Sequence, residues 1–438
     1  MYRKNNLFIF IISLIYLAAV FSCKKNDGGA NSSGPIAIDS ITPSQGRFST
    51  EVLIFGKNFS NDTSKISVTI NGKALKIIGA NSHQIMAVVP KKAGTGPVVV
   101  STGGQTATST TSFAYNYTRT VYTFAGNGTP GYANGQGRDA QFHFSDPTNN
   151  WYRSMGIVVD KSFSIYVADP GNHCIRKIDS AGNITLFAGA PGISGYADGK
   201  GSAAKFSLPY GLAIDANDNI YCVDPGNWDI RKITPDGTAT TLGFGSSSPW
   251  GIAINQSTGA IYYTGTDAGN VYSFNANDGS STSIIQSLSY PAGIVVDKDG
   301  NLFVSMNGEH VIRKFTAGNW TSSIIAGTTD TPGYKDGTST AAMFANPWGL
   351  AIDGQGNLYV AGNGTWDGSV SSPDQSIRMI TAGTWEVTTF AGSGAAGFTD
   401  GVGMSAAFSA PGGVAVDKNG TIYVLDKNNN AIRKIVSE

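Results

Sequence analysis

The sequence GLAIDANDNIYCVDPGNWDIRKI, residues 211–233, predicts how this chain folds. It contains three short apolar runs rich in β-branched and aromatic residues, separated by turns made of Asn, Asp, Pro and Gly. This pattern is typical of consecutive antiparallel β-strands. The same unit occurs six times along the chain, beginning at Gly156, Gly211, Gly251, Gly293, Gly349 and Gly413.

A fourth strand is evident after the third strand in two of the repeats, at Thr185–Gly189 and Thr388–Gly392. Repeats of four short strands are typical of propeller blades. Val121–Gly126 has the sequence of such a fourth strand, although it precedes the first repeat, and the last repeat ends after its third strand. We therefore predict a six-bladed β-propeller over residues 118–438 that is closed by this N-terminal strand, which removes an exposed edge. The repeats resemble NHL repeats, whose propellers often serve protein–protein interaction.

Residues 35–117 precede the propeller and alternate apolar and polar residues in about seven short runs. Asn71-Gly72 is a strong hairpin signal, because both positions of such a turn tolerate positive φ. The spacing predicts an immunoglobulin-like sandwich, so the whole chain is expected to be all-β. The strings ITPSQG (41–46) and VLIFGKNF (52–59) resemble the IPT/TIG family. That resemblance implies a spacer or binding module without catalytic residues.

The N-terminus has a short basic start and an apolar run from residue 7 to 21, which is typical of a secretory signal peptide over residues 1–22. The sequence VFSC at 20–23 resembles the lipobox of bacterial lipoproteins, which implies lipidation of Cys23 and a membrane anchor. Residues 23–34 are expected to be a flexible tether. An uncleaved membrane anchor is the alternative, although the apolar run is short for a span.

The polar residues after Cys23 resemble the tail that sends some Bacteroidetes lipoproteins to the outer face of the outer membrane. We therefore predict a lipid-anchored outer-membrane protein at the cell surface, with the periplasmic face as the alternative. Lysine plus arginine and aspartate plus glutamate balance at 30 each, which argues against a nucleic-acid partner.

Metal and cofactor sites are not predicted. Cys174 and Cys222 lie in predicted strands and are expected to be small buried hydrophobes. The four histidines are scattered, whereas a zinc site needs several that converge. The calcium-like string at residues 297–301 lacks a distal glutamate and is interpreted as a hairpin turn.

The connections into blades 1, 2, 5 and 6 carry insertions, which read GYANGQGRDAQF, GYADGKGSAAKF, GYKDGTSTAAMF and GFTDGVGMSAAF. We expect them to form a raised wall on the face that also carries the strand two-to-three loops, low at blades 3 and 4. Tyr210, Trp250 and Trp348 each precede a strand-one glycine and are expected to point towards the axial mouth of that face. Their rings offer surfaces on which sugars or hydrophobic groups can stack, and the alternative is packing against the insertions. The predicted ligand-binding set is completed by Trp228, Tyr290 and Trp366.

Asp169, Asp224 and Asp426 end the second strands of blades 1, 2 and 6. A functional interpretation makes them catalytic carboxylates or calcium ligands. The alternative is that each closes a turn and pairs with a strand-three arginine such as Arg176, Arg231 or Arg433. The repeated Asp…Arg spacing favours this structural role.

The sequence favours non-catalytic capture of an extracellular polysaccharide or oligosaccharide on an aromatic-lined propeller face. A resemblance to lipoproteins of Bacteroidetes glycan-uptake systems implies an outer-membrane uptake complex as a partner. The alternatives are a glycan hydrolase or lyase that uses the three carboxylates, and a propeller for protein–protein interaction.

Overall fold

The computed structural model describes residues 34–145, 155–247, 249–362 and 374–438. Cys23 and Trp366 lie outside these ranges. The chain divides into two compact units, of which the first ends at Ala114 and the second begins at Tyr115. Both are built from β-strands, so the predicted all-β fold is confirmed. No helix in the described ranges is both long and apolar enough to cross a membrane.

The first unit is a sandwich of two antiparallel sheets. In spatial order, the first sheet contains Ala37–Thr42, Glu51–Lys57, Gln84–Val88 and Lys76–Asn81. The second contains Gln45–Gly46, Gln105–Tyr115, Gly96–Thr102, Ile66–Ile70 and Lys73–Ala74. Alternate residues point inwards, as strand geometry requires, so Val52, Ile54, Val100 and Phe113 are fully buried.

The second unit is a ring of six antiparallel blades. The first strands of blades 1 to 6 are Ile157–Val159, Leu212–Ile214, Pro249–Ile254, Pro291–Val296, Pro347–Ile352 and Pro411–Val416. The second strands are Ile165–Asp169, Ile220–Asp224, Ile261–Gly265, Leu302–Met306, Leu358–Gly362 and Ile422–Asp426. The third strands are Cys174–Ile178, Asp229–Ile233, Asn270–Asn275, Val311–Phe315, Gln375–Ile380 and Ala431–Ser437. The fourth strands are Asn183–Gly189, Thr238–Phe244, Ser280–Ile285, Ser322–Ala326, Glu386–Gly394 and, for blade 6, Arg119–Ala125.

The N-terminal strand closes the ring as predicted. Arg119–Ala125 pairs antiparallel with the last strand of the chain, with Val121 opposite Ile435. Thr118 and Glu438 extend the ladder by exchanging two backbone hydrogen bonds of 2.8 and 2.9 Å. Blade 6 is therefore built from both ends of the propeller sequence.

The strand-one glycines let neighbouring blades approach closely at the axis. A Cβ added to Gly156 would collide with the carbonyl oxygen of Tyr210 in blade 2, and one added to Gly211 would collide with that of Trp250 in blade 3. The same relationship continues around the ring for the four remaining glycines of the repeat. Only glycine leaves room for this contact, which explains why it begins all six repeats.

The insertions lie along the outer edges of the blades. Each contributes a two-residue strand that pairs with strand four of the blade that follows it, at Gly135–Gln136, Gly199–Lys200, Gly337–Thr338 and Gly401–Val402. In blade 1 this strand meets Asn183 and Ile184, which are at the far end of the blade from the strand two-to-three loop. The expectation of a raised wall on one face is therefore wrong, because the insertions instead pair with the free edge of strand four.

A buried arginine on strand three organises each insertion. In blade 1, Arg176 Nη2 donates to the carbonyl of Ala133 at 2.9 Å and to the side chain of Asn134 at 2.8 Å. Its guanidinium also lies over the rings of Tyr132 and Phe142, 4.3 and 5.3 Å from their centroids. The equivalent arginines of blades 2, 5 and 6 are Arg231, Arg378 and Arg433, which stack on the same two aromatic positions. Blade 3, which has no insertion, has Tyr272 at this position.

Candidate functional site

The acidic residues that end strand two have structural partners. Asp169, Asp224 and Asp426 are all fully buried. Asp169 accepts a hydrogen bond from Arg176 Nη1 at 3.2 Å, and Asp426 accepts one from Arg433 Nη1 at 2.8 Å. Burial raises the pKa of Asp426 to about 6, although the Arg433 guanidinium opposes this rise. Asp224 accepts hydrogen bonds from the Ser207 N–H and from Asn227, so all three carboxylates have partners within the propeller.

The axial aromatic residues are buried, so the expectation of an open aromatic mouth is wrong. The exposed fractions of Tyr210, Trp250 and Trp348 are 0, 6 and 2 %. The ring of Trp250 lies 5.6 Å from that of Tyr210 and 5.5 Å from that of Trp348, centroid to centroid. Three large rings that converge on one axis remove apolar area from water by packing on each other. They form a core cluster with Met155 and Ala292 from the same position of other blades.

The axial channel beside this cluster is lined by the first strands of all six blades and encloses about 280 Å³. Its side chains are mainly Ile, Leu and Val, as at Ile214, Ile254 and Ile352. The channel contains no ionisable side chain among the residues that line it. It therefore offers mainly apolar contacts and backbone groups, with the Gln256 amide as a polar side chain of its lining.

Exposed aromatic residues instead gather at one corner of blade 2. Tyr196, Trp228 and Phe244 have exposed fractions of 53, 54 and 56 %. The rings of Tyr196 and Phe244 are 6.0 Å apart between centroids. The carbonyl of Trp228 accepts a hydrogen bond of 2.8 Å from Gly245, the residue after Phe244. We call these three residues the blade 2 corner.

Trp228 departs from the role that its position has in other blades. Its backbone is left-handed, with φ 61°, as in the equivalent residues His173, His310 and Asn430, so the departure lies in the side chain. In three other blades, the side chain at this position accepts a hydrogen bond from a backbone N–H at the entry to the next blade. The acceptors are His173, His310 and Asn430, and their donors are Leu208, Asn346 and Phe144, respectively. A tryptophan side chain has no acceptor for such a bond. Trp228 therefore gives up a link between blades and presents its ring to solvent.

Phe244 is a second departure at the same corner. It lies opposite Asp229 at the end of strand four. The equivalent positions in blades 1, 4, 5 and 6 hold glycines with φ between 91 and 107°, at Gly189, Gly327, Gly392 and Gly126. The connection that follows Phe244 is short and carries no insertion. The ring is consequently left uncovered.

Asp229 is a third departure and lies beneath the corner. Blades 1, 4, 5 and 6 have Cys, Val, Ser or Ala at its position. The Asp229 side chain is fully buried, and its oxygens accept no hydrogen bond from any described residue. Its nearest cation is Arg231, with Nε 3.9 Å from Oδ2. Burial, with a contribution from Asp198, raises the pKa of Asp229 to about 7 against the attraction of Arg231.

The structure thus separates the six predicted ligand-binding residues. Trp228 and Tyr290 are exposed, with Tyr290 at 43 %, whereas Tyr210, Trp250 and Trp348 are buried. Trp366 lies outside the described residues. Sequence reasoning missed Tyr196 and Phe244. Phe244 could have been found by aligning the fourth strands, where it replaces a glycine.

Comparison with known families supports the two-part architecture. Residues 35–115 match the IPT/TIG domain, and residues 408–435 match the NHL repeat. The chain therefore contains a TIG domain followed by an NHL-type propeller.

The chain is similar to larger curated proteins. It is 25% identical over 317 residues to the chloroplastic protein SUPPRESSOR OF QUENCHING 1 of Arabidopsis thaliana, a match that covers 62% of this chain and 29% of that protein. It is 28% identical over 303 residues to NHL repeat-containing protein 2 of Bos taurus, covering 64% of this chain and 38% of that protein. The chain thus spans well under half of the length of these relatives.

Two solved structures share the fold over almost the whole chain. A structural genomics protein of unknown function from Bacteroides thetaiotaomicron has a TM-score of 0.66 at 20% identity, covering 93% of this chain and 99% of that one. An auxiliary nutrient binding protein from Bacteroides ovatus has a TM-score of 0.56 at 23% identity, with the same coverages. At these identities the likeness concerns the fold alone.

Proposed function

We propose that this protein is a non-catalytic binding protein that captures an extracellular polysaccharide or oligosaccharide on the blade 2 corner. The observation that carries the proposal is Trp228, an exposed ring at a position where other blades use the side chain to link neighbours. Exposed aromatic rings provide flat apolar surfaces for the C–H faces of sugars. Tyr196 and Phe244 extend this surface beside it.

Binding without catalysis is favoured because the three carboxylates considered for hydrolysis are fully buried in structural networks. The shared fold with auxiliary nutrient binding proteins from two Bacteroides species is consistent with a capture role. The burial of the carboxylates and the shared fold are independent observations, and both support the proposal.

The test is a glycan array followed by calorimetry on the unacylated chain of residues 24–438. Trp228→Ala should weaken binding of an array-positive glycan at least about tenfold, because an exposed stacking ring is worth about 1 kcal/mol or more. Trp228→His introduces the residue that blades 1 and 4 have there, so it should fold normally and still lose binding. Trp320→Ala is the control for loss of a tryptophan away from this face, since Trp320 lies in a strand three-to-four turn on the opposite face, where it packs on Tyr262. Unchanged affinity in both Trp228 variants would exclude this corner as the binding surface.

We also propose that the protein is anchored to the bacterial outer membrane by a lipid on Cys23, where an uptake complex is its expected partner. The support is the VFSC sequence after an apolar run. Cys23→Ala should move the protein from the membrane to the soluble fraction of the native host. Membrane association that survives the substitution would refute lipidation as the anchor.

A further inference from the structure

The corner of blade 3 that corresponds to the blade 2 corner is a hollow. Residues 266–269 and 287–290 line a cleft of about 390 Å³, which we call the blade 3 cleft. Gly269 occupies the position of Trp228. The Gly269 carbonyl accepts a hydrogen bond of 2.8 Å from the Leu288 N–H, and the Trp228 carbonyl accepts the corresponding bond from the Gly245 N–H. The two corners are therefore the same structural position in adjacent blades. One carries projecting rings, and the other lacks a side chain at the central position.

The cleft presents polar groups that are available for a ligand. The exposed Asp267 carboxylate makes no hydrogen bond or ion pair with any residue of the described ranges. The Ser287 hydroxyl likewise has no partner in that part of the chain. The ring of Tyr290, 43 % exposed, forms part of the wall. A carboxylate and a hydroxyl are the groups that accept hydrogen bonds from sugar hydroxyls.

Local backbone strain accompanies these residues. Ser287 and Tyr290 have φ of 59 and 49°, in the left-handed region that bulky residues rarely adopt. Such conformations cost on the order of 1 kcal/mol or more each and cluster at ligand-binding positions. The left-handed conformation of Tyr290 recurs at Leu208, Asn346 and Ala410, which also directly precede a proline at the entry to a blade, so the strain specific to this cleft is that of Ser287.

We infer that the blade 3 cleft is a second subsite that binds the hydroxyl groups of a carbohydrate, so that the ligand is an extended chain lying across blades 2 and 3. This inference rests on the proposed function. The exposed rings of the blade 2 corner can stack on the apolar face of one sugar unit. Asp267 and Ser287 in the blade 3 cleft can accept hydrogen bonds from the hydroxyl groups of the next units. The connections that follow blades 2 and 3 are short and carry no insertion, so neither corner is covered by its own following connection.

The experiment is calorimetry of residues 24–438 with disaccharides and hexasaccharides of α-1,4-glucose, β-1,4-glucose, β-1,4-xylose and β-1,4-mannose. For the series that binds, the hexasaccharide should bind at least tenfold more tightly than the disaccharide. Asp267→Ala should weaken hexasaccharide binding about five- to tenfold and leave disaccharide binding unchanged. Asp299→Ala is the control, since Asp299 is an exposed acid in a hairpin turn on the opposite face.

The outcomes separate the two ideas. If Trp228→Ala abolishes binding but Asp267→Ala has no effect on the hexasaccharide, the second subsite is wrong and the proposed function stands. Equal affinity for disaccharide and hexasaccharide would also overturn the subsite. If the wild-type protein binds none of the eight oligosaccharides nor any array glycan, both proposals fail together.

Discussion

Asp224 and Asp229 are cross-strand partners in blade 2, and both side chains are fully buried. Asp224 accepts hydrogen bonds from the backbone N–H of Ser207 and from Asn227. Burial raises the pKa of Asp224 well above its ordinary value, and the neighbouring Asp229 adds to the rise. Blade 2 therefore has an acid at a position where blades 1, 5 and 6 have Cys174, Ser376 and Ala431, directly below the exposed aromatic corner.

This pair makes stability depend on pH. The folded protein keeps the Asp229 proton up to about pH 7, whereas the unfolded chain releases it near 3.8, so stability falls as pH rises between these values. Asp229→Asn should therefore be more stable than wild type at pH 8, by about 1 kcal/mol or more, and equal to it near pH 4. Urea unfolding at both pH values measures this. A gain of the same size at pH 4, or a similar gain from the exposed control Asp299→Asn, would contradict the assignment.

The close approach at the axis predicts a strict need for glycine. Gly211→Ala should destabilise the propeller by about 2 kcal/mol or more, because its Cβ would overlap the backbone carbonyl of Trp250 and neither strand can move freely. Gly354→Ala is the control, since a Cβ there meets no atom within 4 Å. Chemical denaturation of both variants gives the comparison. Equal stabilities would show that the blades can shift to accept a side chain.

The buried arginines are expected to hold the insertions in place. Arg433→Met should destabilise blade 6 by about 3–5 kcal/mol, because Asp426 would be left buried without its partner. The insertion over residues 397–408 should become sensitive to limited proteolysis at the same time. Adding Asp426→Leu should recover part of the stability, since the uncompensated charge is removed.

Arg313→Met provides the comparison for this prediction. Arg313 occupies the same position in blade 4, but it is partly exposed, pairs with Glu309 and has no insertion to hold. A stability loss as large as that of Arg433→Met would indicate that the effect does not come from the insertion network.

Ring closure predicts an asymmetry between two deletions. Removal of Arg119–Ala125 exposes the edge of the last strand and should lower the melting temperature of the propeller by more than about 10 °C. Removal of residues 35–114, a separate compact unit, should change it by only a few degrees. Calorimetric melting of both proteins tests this, and similar transitions would refute the role of the closing strand.

Sequence reasoning succeeded where the signal was local and repeated. The six glycines, the alternating apolar runs and the turn residues between them specify strands and hairpins through short-range geometry. The early fourth strand, Val121–Gly126, could be matched to the last blade because its sequence is that of the other fourth strands. The insertions were also evident from sequence, but their course was not, since it depends on the free edge of strand four.

An immunoglobulin-like sandwich followed by a six-bladed propeller closed by its first strand could be predicted from sequence, because strands and hairpins follow from periodic patterns and turn residues. Which aromatic residues are exposed to solvent depends on the tertiary structure. Trp250 and Trp228 are both tryptophans near loops of one face, yet Trp250 is 6 % exposed and Trp228 is 54 % exposed. The difference arises because Trp250 packs between two rings contributed by other blades. Trp228 lies beside the connection to blade 3, which is short and carries no insertion. Burial is a property of neighbours brought together by the ring, and residues distant in sequence supply them.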